Sequence, residues 1–210
     1  MTCRSDGRLL HPTAPARAID MSFALSGGPV PRVENTHAVM STFTEIGGVK
    51  WSHILIIGLN TSWSVSPAHL GGDIDAAKEH LVWSGYQAMA GTGHAANITV
   101  RDQKFSPSAP IELEACGYAD FGLWHTAPIF PASQLAFLGE VGKWVPVAAA
   151  RVTSVADAKA GLTVAIAGGD SEVVELAFAA STGTAVATVI CTIGSSGKAT
   201  ARFDGKAATC

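Results

Sequence analysis

From about Lys50 onward, apolar and β-branched residues come in short runs broken by glycine, serine and aspartate, a rhythm that predicts strands. Trp51 to Leu59, His80 to Ala88, Asn97 to Arg101, Ile111 to Cys116 and Phe121 to Ile129 are read this way. So are Leu135 to Val141, Val145 to Val155, Leu162 to Ala167, Glu172 to Phe178, Ala185 to Thr192 and Ala199 to Phe203. Turns such as Gly168-Gly169-Asp170 and Gly194-Ser195-Ser196-Gly197 separate the runs at the spacing of a sandwich or barrel, so antiparallel sheets fit best.

Before Lys50 the pattern changes. Ala16, Ile19 and Phe23 recur at spacings of three and four, which predicts a helix over Ala14 to Leu25, stopped by Ser26-Gly27-Gly28-Pro29. An extended Val30 to Val33 and a short helical piece around Thr36 to Thr44 follow. One further helix is expected over Asp73 to His80, with Asp75, Lys78 and Glu79 on its solvated face.

Composition bounds the function. The chain has 210 residues, 48% of them hydrophobic and 15% charged, enough to bury a full core. The formal net charge is -3 and there is no basic run, which argues against nucleic acid or an anionic membrane as partner. No uninterrupted apolar stretch reaches the roughly 18 residues of a membrane span, and the first residues lack a secretory pattern, so a cytoplasmic protein is expected. Cys3, Cys116, Cys191 and Cys210 lie far apart, without metal-site or redox spacing, and free, mostly buried thiols are expected over a disulfide framework. The seven histidines form no His-x-x-x-His pattern, so no metal is expected. Gly91-Thr92-Gly93-His94 lacks the lysine of a phosphate loop, and no cofactor is expected either.

Four blocks, in order, carry a family likeness: "HPTAPARAIDMSFALSGGPV", "HILIIGLNTSWSV", "ADFGLWHTAPIF" and "LAFLGEVGKW". Together they resemble the last part of the raffinose synthase and alkaline α-galactosidase family of glycoside hydrolases. That resemblance implies a (β/α)8 barrel followed by a C-terminal antiparallel β-sandwich. Residues 1–48 would be a remnant of the last barrel βα units and residues 49–210 the β-sandwich domain. It implies that Gly27 and Gly28 form a turn near the sugar-binding end. Trp63, in the second block, would be a further substrate contact.

Retaining α-galactoside chemistry needs two carboxyl groups about 5 Å apart, one attacking the anomeric carbon and one protonating the leaving oxygen. The family's nucleophile strand has no counterpart in this chain. Its second carboxylate precedes the His-Pro pair in an Asp-Met-Phe motif. Asp6, five residues before His11, stands near that place with Gly7 and Arg8 instead of Met and Phe, and is the candidate relict acid/base. The first expectation is therefore a portion of an α-galactosidase or galactosyltransferase, acting on α-galactosides but not catalytically complete on its own. A non-catalytic carbohydrate-binding sandwich and a protein-interaction sandwich are the alternatives. The five tryptophans either form a sugar-stacking platform or pack the sheets together. Apolar faces over residues 14–46, stripped of barrel partners, would favour self-association.

Overall fold

The computed structural model describes residues 3–19, 38–59, 61–85, 98–106, 108–117, 121–182 and 184–210. Along the chain, β1 (Arg17–Ala18), β2 (Ala38–Ile46), β3 (Val49–Ile57) and β4 (Trp63–Val65) lead into a one-turn helix, α1 (Pro67–Leu70), and a 3-10 turn (Gly71–Asp73). Next come β5 (His80–Ser84), β6 (Thr99–Val100), β7 (Ile111–Leu113), β8 (Gly122–Pro128) and β9 (Leu135–Glu140). The last elements are β10 (Val152–Ala158), β11 (Gly161–Ala167), β12 (Val173–Ala180), β13 (Val186–Thr192), β14 (Lys198–Phe203) and β15 (Ala208–Thr209). The described chain is thus mainly β, and its strands pair antiparallel.

A six-stranded sheet runs β1-β2-β3-β8-β5-β6, and a ribbon joins β4 to β7. The other two sheets run β13-β12-β9 and β10-β11-β14-β15. Their facing side chains, Phe137, Leu176 and Phe178 against Leu162, Val164, Ala201 and Phe203, belong to one buried core, with Phe178 at 5.2 Å from Phe137 and 5.4 Å from Phe203 between ring centroids. Strand β9 is buried at every position and touches β5 and β8 of the large sheet as well as β11, which makes it the middle layer. Such double burial explains why Leu135 to Gly139 reads as a continuous apolar run without alternation. On the far side of the large sheet, Val39, Ile54, Ile56 and Val82 form a second core with Val65, Leu70, Ile111 and Leu113.

The strands expected beyond residue 50 are present, with shifted ends. Val145 to Val155 becomes a strand only at Val152, because the preceding segment turns and Pro146 gives its carbonyl to the Glu140 amide at 2.7 Å. Residues 86–88 of the run after His80 lie outside the described part.

The helices are corrected. In place of a helix over 14–25, Arg17 and Ala18 pair with Ser41 and Met40, while the Thr13 and Ile19 amides donate to Phe43 and Val39 carbonyls; residues 20–25 are not described. The edge of β2 offers these amides partners that local periodicity cannot reveal. The helical piece around Thr36 to Thr44 is strand β2 from Ala38 onward. Its signal was the Gly47-Gly48 pair: Ile46 pairs with Val49 across a two-residue loop in which both glycines have positive φ, 59° and 79°, as the tightest hairpin turn requires. The boundary placed at residue 48 falls inside this turn, and β2 and β3 share one sheet. The helix over Asp73 to His80 is also absent; the 3-10 turn ends at Asp73 and β5 begins at His80, since Asp73, Ile74 and His80 all point into buried surroundings.

Within the described part of residues 14–46, Val39 and Ile46 are buried and Ile19 packs against the second core, so these apolar side chains are covered.

Gly161 opens β11 at φ +131°, where a Cβ would stand 2.2 Å from the Phe203 carbonyl oxygen. Gly161→Ala is expected to destabilise the protein by about 2–4 kcal/mol through strain and overlap. Urea unfolding measures it, with Gly47→Ala as the comparison: its φ is also positive, at +59°, but its Cβ would meet nothing within 4 Å.

Candidate functional site

Asp6 sits in a tight turn closed by backbone bonds between Arg4 and Arg8, under an isolated bridge from Cys3 to Leu9. Its carboxylate accepts from Arg4 Nη2 at 2.6 Å and from the Arg8 amide at 3.2 Å. Arg4 is itself buried and donates to the Ala150 carbonyl at 2.6 Å, which clips the turn to the C-terminal sheets. The neighbouring Ser5 amide donates to Glu172 Oε1 at 2.9 Å.

Glu172 belongs to a cluster that the sequence did not reveal. Arg151, fully buried, donates through Nε to Glu140 at 2.7 Å and through Nη2 to Glu172 at 2.5 Å. Lys143 adds a contact to Glu140 at 3.3 Å. Burial opposes the ionisation of Glu172, but Arg151 and the amides of Ser5 and Gly169 outweigh it and hold the carboxyl at about 2. Burial likewise opposes the charge on Arg151, and the two glutamates reverse that effect and raise its pKa. The three residues are scattered over 32 positions and come together only when β9, β12 and the segment before β10 pack, so no local spacing announces them.

The tryptophans divide. Trp51 is buried and donates from Nε1 to the Phe137 carbonyl at 2.8 Å, tying β3 to β9. Trp83 is buried against His125, ring centroids 4.5 Å apart. Both pack sheets. Trp144 is 39% exposed beside Phe121, at 5.5 Å. Trp63 and Trp124 are half-buried on the second core. His69 approaches Trp63 edge-on at 5.0 Å, and the Arg101 guanidinium lies 4.1 Å above the Trp124 ring. Burial lowers the pKa of Arg101. Its Nη2 also donates to the Glu112 carbonyl of β7, which pairs with Ser64 beside Trp63, so the two indoles flank one ribbon.

Of the residues expected to meet substrate, Gly27 and Gly28 lie outside the described part. Asp6 is clipped to the C-terminal sheets and Trp63 stands on the β4–β7 ribbon, so different sheets hold them.

His53 of β3 and His125 of β8 face each other across neighbouring strands of the large sheet, with Nδ1 atoms 2.9 Å apart. One Nδ1 carries the proton and the other accepts it, so the two rings cannot both be cations. Thr44 Oγ1 lies 3.4 Å from His53 Nε2. Burial pushes His53 down to about 3, and burial followed by the nearby His53 pushes His125 well below its usual value. Among the described residues no three His, Cys, Asp or Glu side chains are placed to hold a metal ion.

The thiol expectation is corrected for two cysteines. Cys191, buried in β13, is disulfide-bonded to Cys210, with Cα atoms 5.4 Å apart, because β13 and β15 pack against each other although their sheets are separate. Close by, a cleft of about 310 Å³ is bounded by Ala158, Gly161, Arg202, Asp204, Ala207 and Thr209. No described helix is long and apolar enough to cross a membrane.

No protein-family model matches the chain, and no curated protein matches it.

Proposed function

We propose that this chain is a non-catalytic portion of a galactoside-processing protein of the raffinose synthase and alkaline α-galactosidase type, whose sheets engage α-galactosides without cleaving them. The observation that carries the reading is the state of the carboxylates around Asp6. Glycoside cleavage needs one carboxyl group with a proton to give and a second with a free oxygen to attack. Glu172, beside the Asp6 turn, is ionised through the neutral range, and its oxygens are taken up by Arg151, Ser5 and Gly169. Asp6 is engaged by Arg4 and by the Arg8 amide. The described part of residues 1–48 supplies outer strands of the large sheet and the clip on the C-terminal sheets, and its descent from the last barrel units rests on the resemblance alone.

The half-buried indole of Trp63 supports sugar contact, since an aromatic face stacks on the apolar face of a pyranose ring. The test uses purified protein with raffinose or melibiose. No galactose is released, tryptophan emission changes saturably on titration, and Trp63→Ala weakens the response about tenfold with unchanged circular dichroism. Galactose release would refute the non-catalytic reading. A titration without emission change would refute the sugar contact and leave the interaction-sheet reading, favoured by Val173 and Ile190, each 65% exposed on one face of β12–β13.

A further inference from the structure

We infer that the Cys191–Cys210 disulfide is a redox-sensitive clasp that holds β15 in place and with it one wall of the adjacent cleft. The bond joins two sheets that share no strand pairing: Cys191 lies within β13 of the three-stranded sheet, and Cys210 follows β15 of the four-stranded sheet. Its two ends differ in access. Cys191 is fully buried in the sandwich core, whereas Cys210 is exposed.

Without the bond, β15 is held by a short pairing and by the half-buried Ala208 against the core. It pairs over two residues only, Ala208 with Phe203 and Thr209 with Arg202, and Thr209 is exposed. The turn before it closes on itself, because the Asp204 carboxylate accepts from the Lys206 and Ala207 amides, each at 2.8 Å. That turn therefore stays formed when the segment beyond Ala207 lifts, and the unit that opens is small. Thr209 and Ala207 line the cleft together with Gly161 and Ala158, so lifting β15 removes part of its wall.

The chemistry balances with a dithiol as reductant. A thiolate of the dithiol attacks the accessible Cys210 sulfur, forming a mixed disulfide and expelling the Cys191 thiolate. The second thiol of the reductant then displaces Cys210. Two electrons pass to the protein, both cysteines take up protons, and the dithiol leaves as its cyclic disulfide.

The experiment treats the full chain with dithiothreitol under native conditions and follows cysteine alkylation by mass, amide exchange and thermal unfolding. Cys191 and Cys210 become alkylated only after reductant is added, and exchange rises at Ala208 and Thr209 while β9 and β12 keep their protection. The unfolding midpoint falls by about 6–12 °C, as expected for opening a loop of this size. Cys210→Ser, a change at an exposed position, reproduces the reduced pattern and makes the protein indifferent to dithiothreitol. Three results would each overturn the inference: alkylation of both thiols without reductant, resistance to dithiol until the protein unfolds, or loss of protection spreading through β9 and β12.

Discussion

Replacing Arg151 with alanine is expected to lower the free energy of unfolding by about 3–5 kcal/mol, a large part of the stability of a domain this size. The guanidinium is fully buried and serves two acidic partners, Glu140 at 2.7 Å and Glu172 at 2.5 Å. Truncation leaves both carboxylates in place with their shared cation gone. Lys143 touches Glu140 but nothing bonds it to Glu172, so it makes up only part of the loss. The Nη1 bond to the Ala167 carbonyl at 2.8 Å disappears as well. Because Glu172 also accepts the Ser5 amide, the N-terminal clip should loosen, and amide exchange over residues 4–8 should rise along with the fall in stability. Urea denaturation with Arg202→Ala as an exposed control measures the difference; a loss under 1 kcal/mol would mean that the cluster does not pin the fold. Removing all three charges together, with Arg151→Met, Glu140→Leu and Glu172→Gln, should recover much of the lost stability, because no buried carboxylate is then left without its cation and only Lys143 loses its anionic partner.

Acidification is expected to destabilise the protein from about pH 6.5 downward. His53 and His125 stay neutral in the folded state, His53 with a pKa of about 3 and His125 well below 6.5, while both take up protons in the unfolded chain near 6.5. Folding thus excludes protons that the unfolded state binds. The stabilising effect is complete above pH 6.5 and is lost progressively as pH falls toward the folded values. Each ring contributes a slope of about 1.4 kcal/mol per pH unit once the unfolded form is protonated.

The groups packed on the pair offer no counter-charge. Thr44 comes from β2, Trp83 from β5, and the ionisable residue of β9, Glu140, is turned to Arg151. Buried His80 has a lowered pKa and adds in the same direction. Carboxylates with depressed values, Glu172 at about 2 and Asp75, contribute their own loss only below the ordinary carboxylate range, so the histidines dominate between pH 6.5 and 5. Urea unfolding at pH 7, 6 and 5 gives the slope, and His53→Leu combined with His125→Phe should reduce it by about two protons' worth. An unchanged slope in that double variant would show that the pair is not the source.

Much of the architecture was legible from periodicity. Runs such as Leu162 to Ala167 alternate because one face meets the core and the other meets solvent, and that local record needs no knowledge of partners. The segment before Lys50 misled, because spacings of three and four among Ala16, Ile19 and Phe23 are compatible with a helix, whereas the pairing of Arg17 and Ala18 with β2 is a long-range event. At the candidate site, Asp6 and Trp63 could be singled out by residue type and motif, but their surroundings could not. The acceptor role of Asp6 depends on Arg4, whose place is set by a carbonyl 146 residues away.

The sequence by itself determined that this chain folds as short antiparallel strands with an apolar interior, since burial per residue and turn chemistry are local properties. Only the tertiary structure decided which sheets stack, that β9 is covered on both faces, that Arg151 meets two glutamates, that His53 faces His125 and that Cys191 reaches Cys210. Each of these joins residues from separate strands, and such distances are set by how sheets pack, which no spacing along the chain encodes.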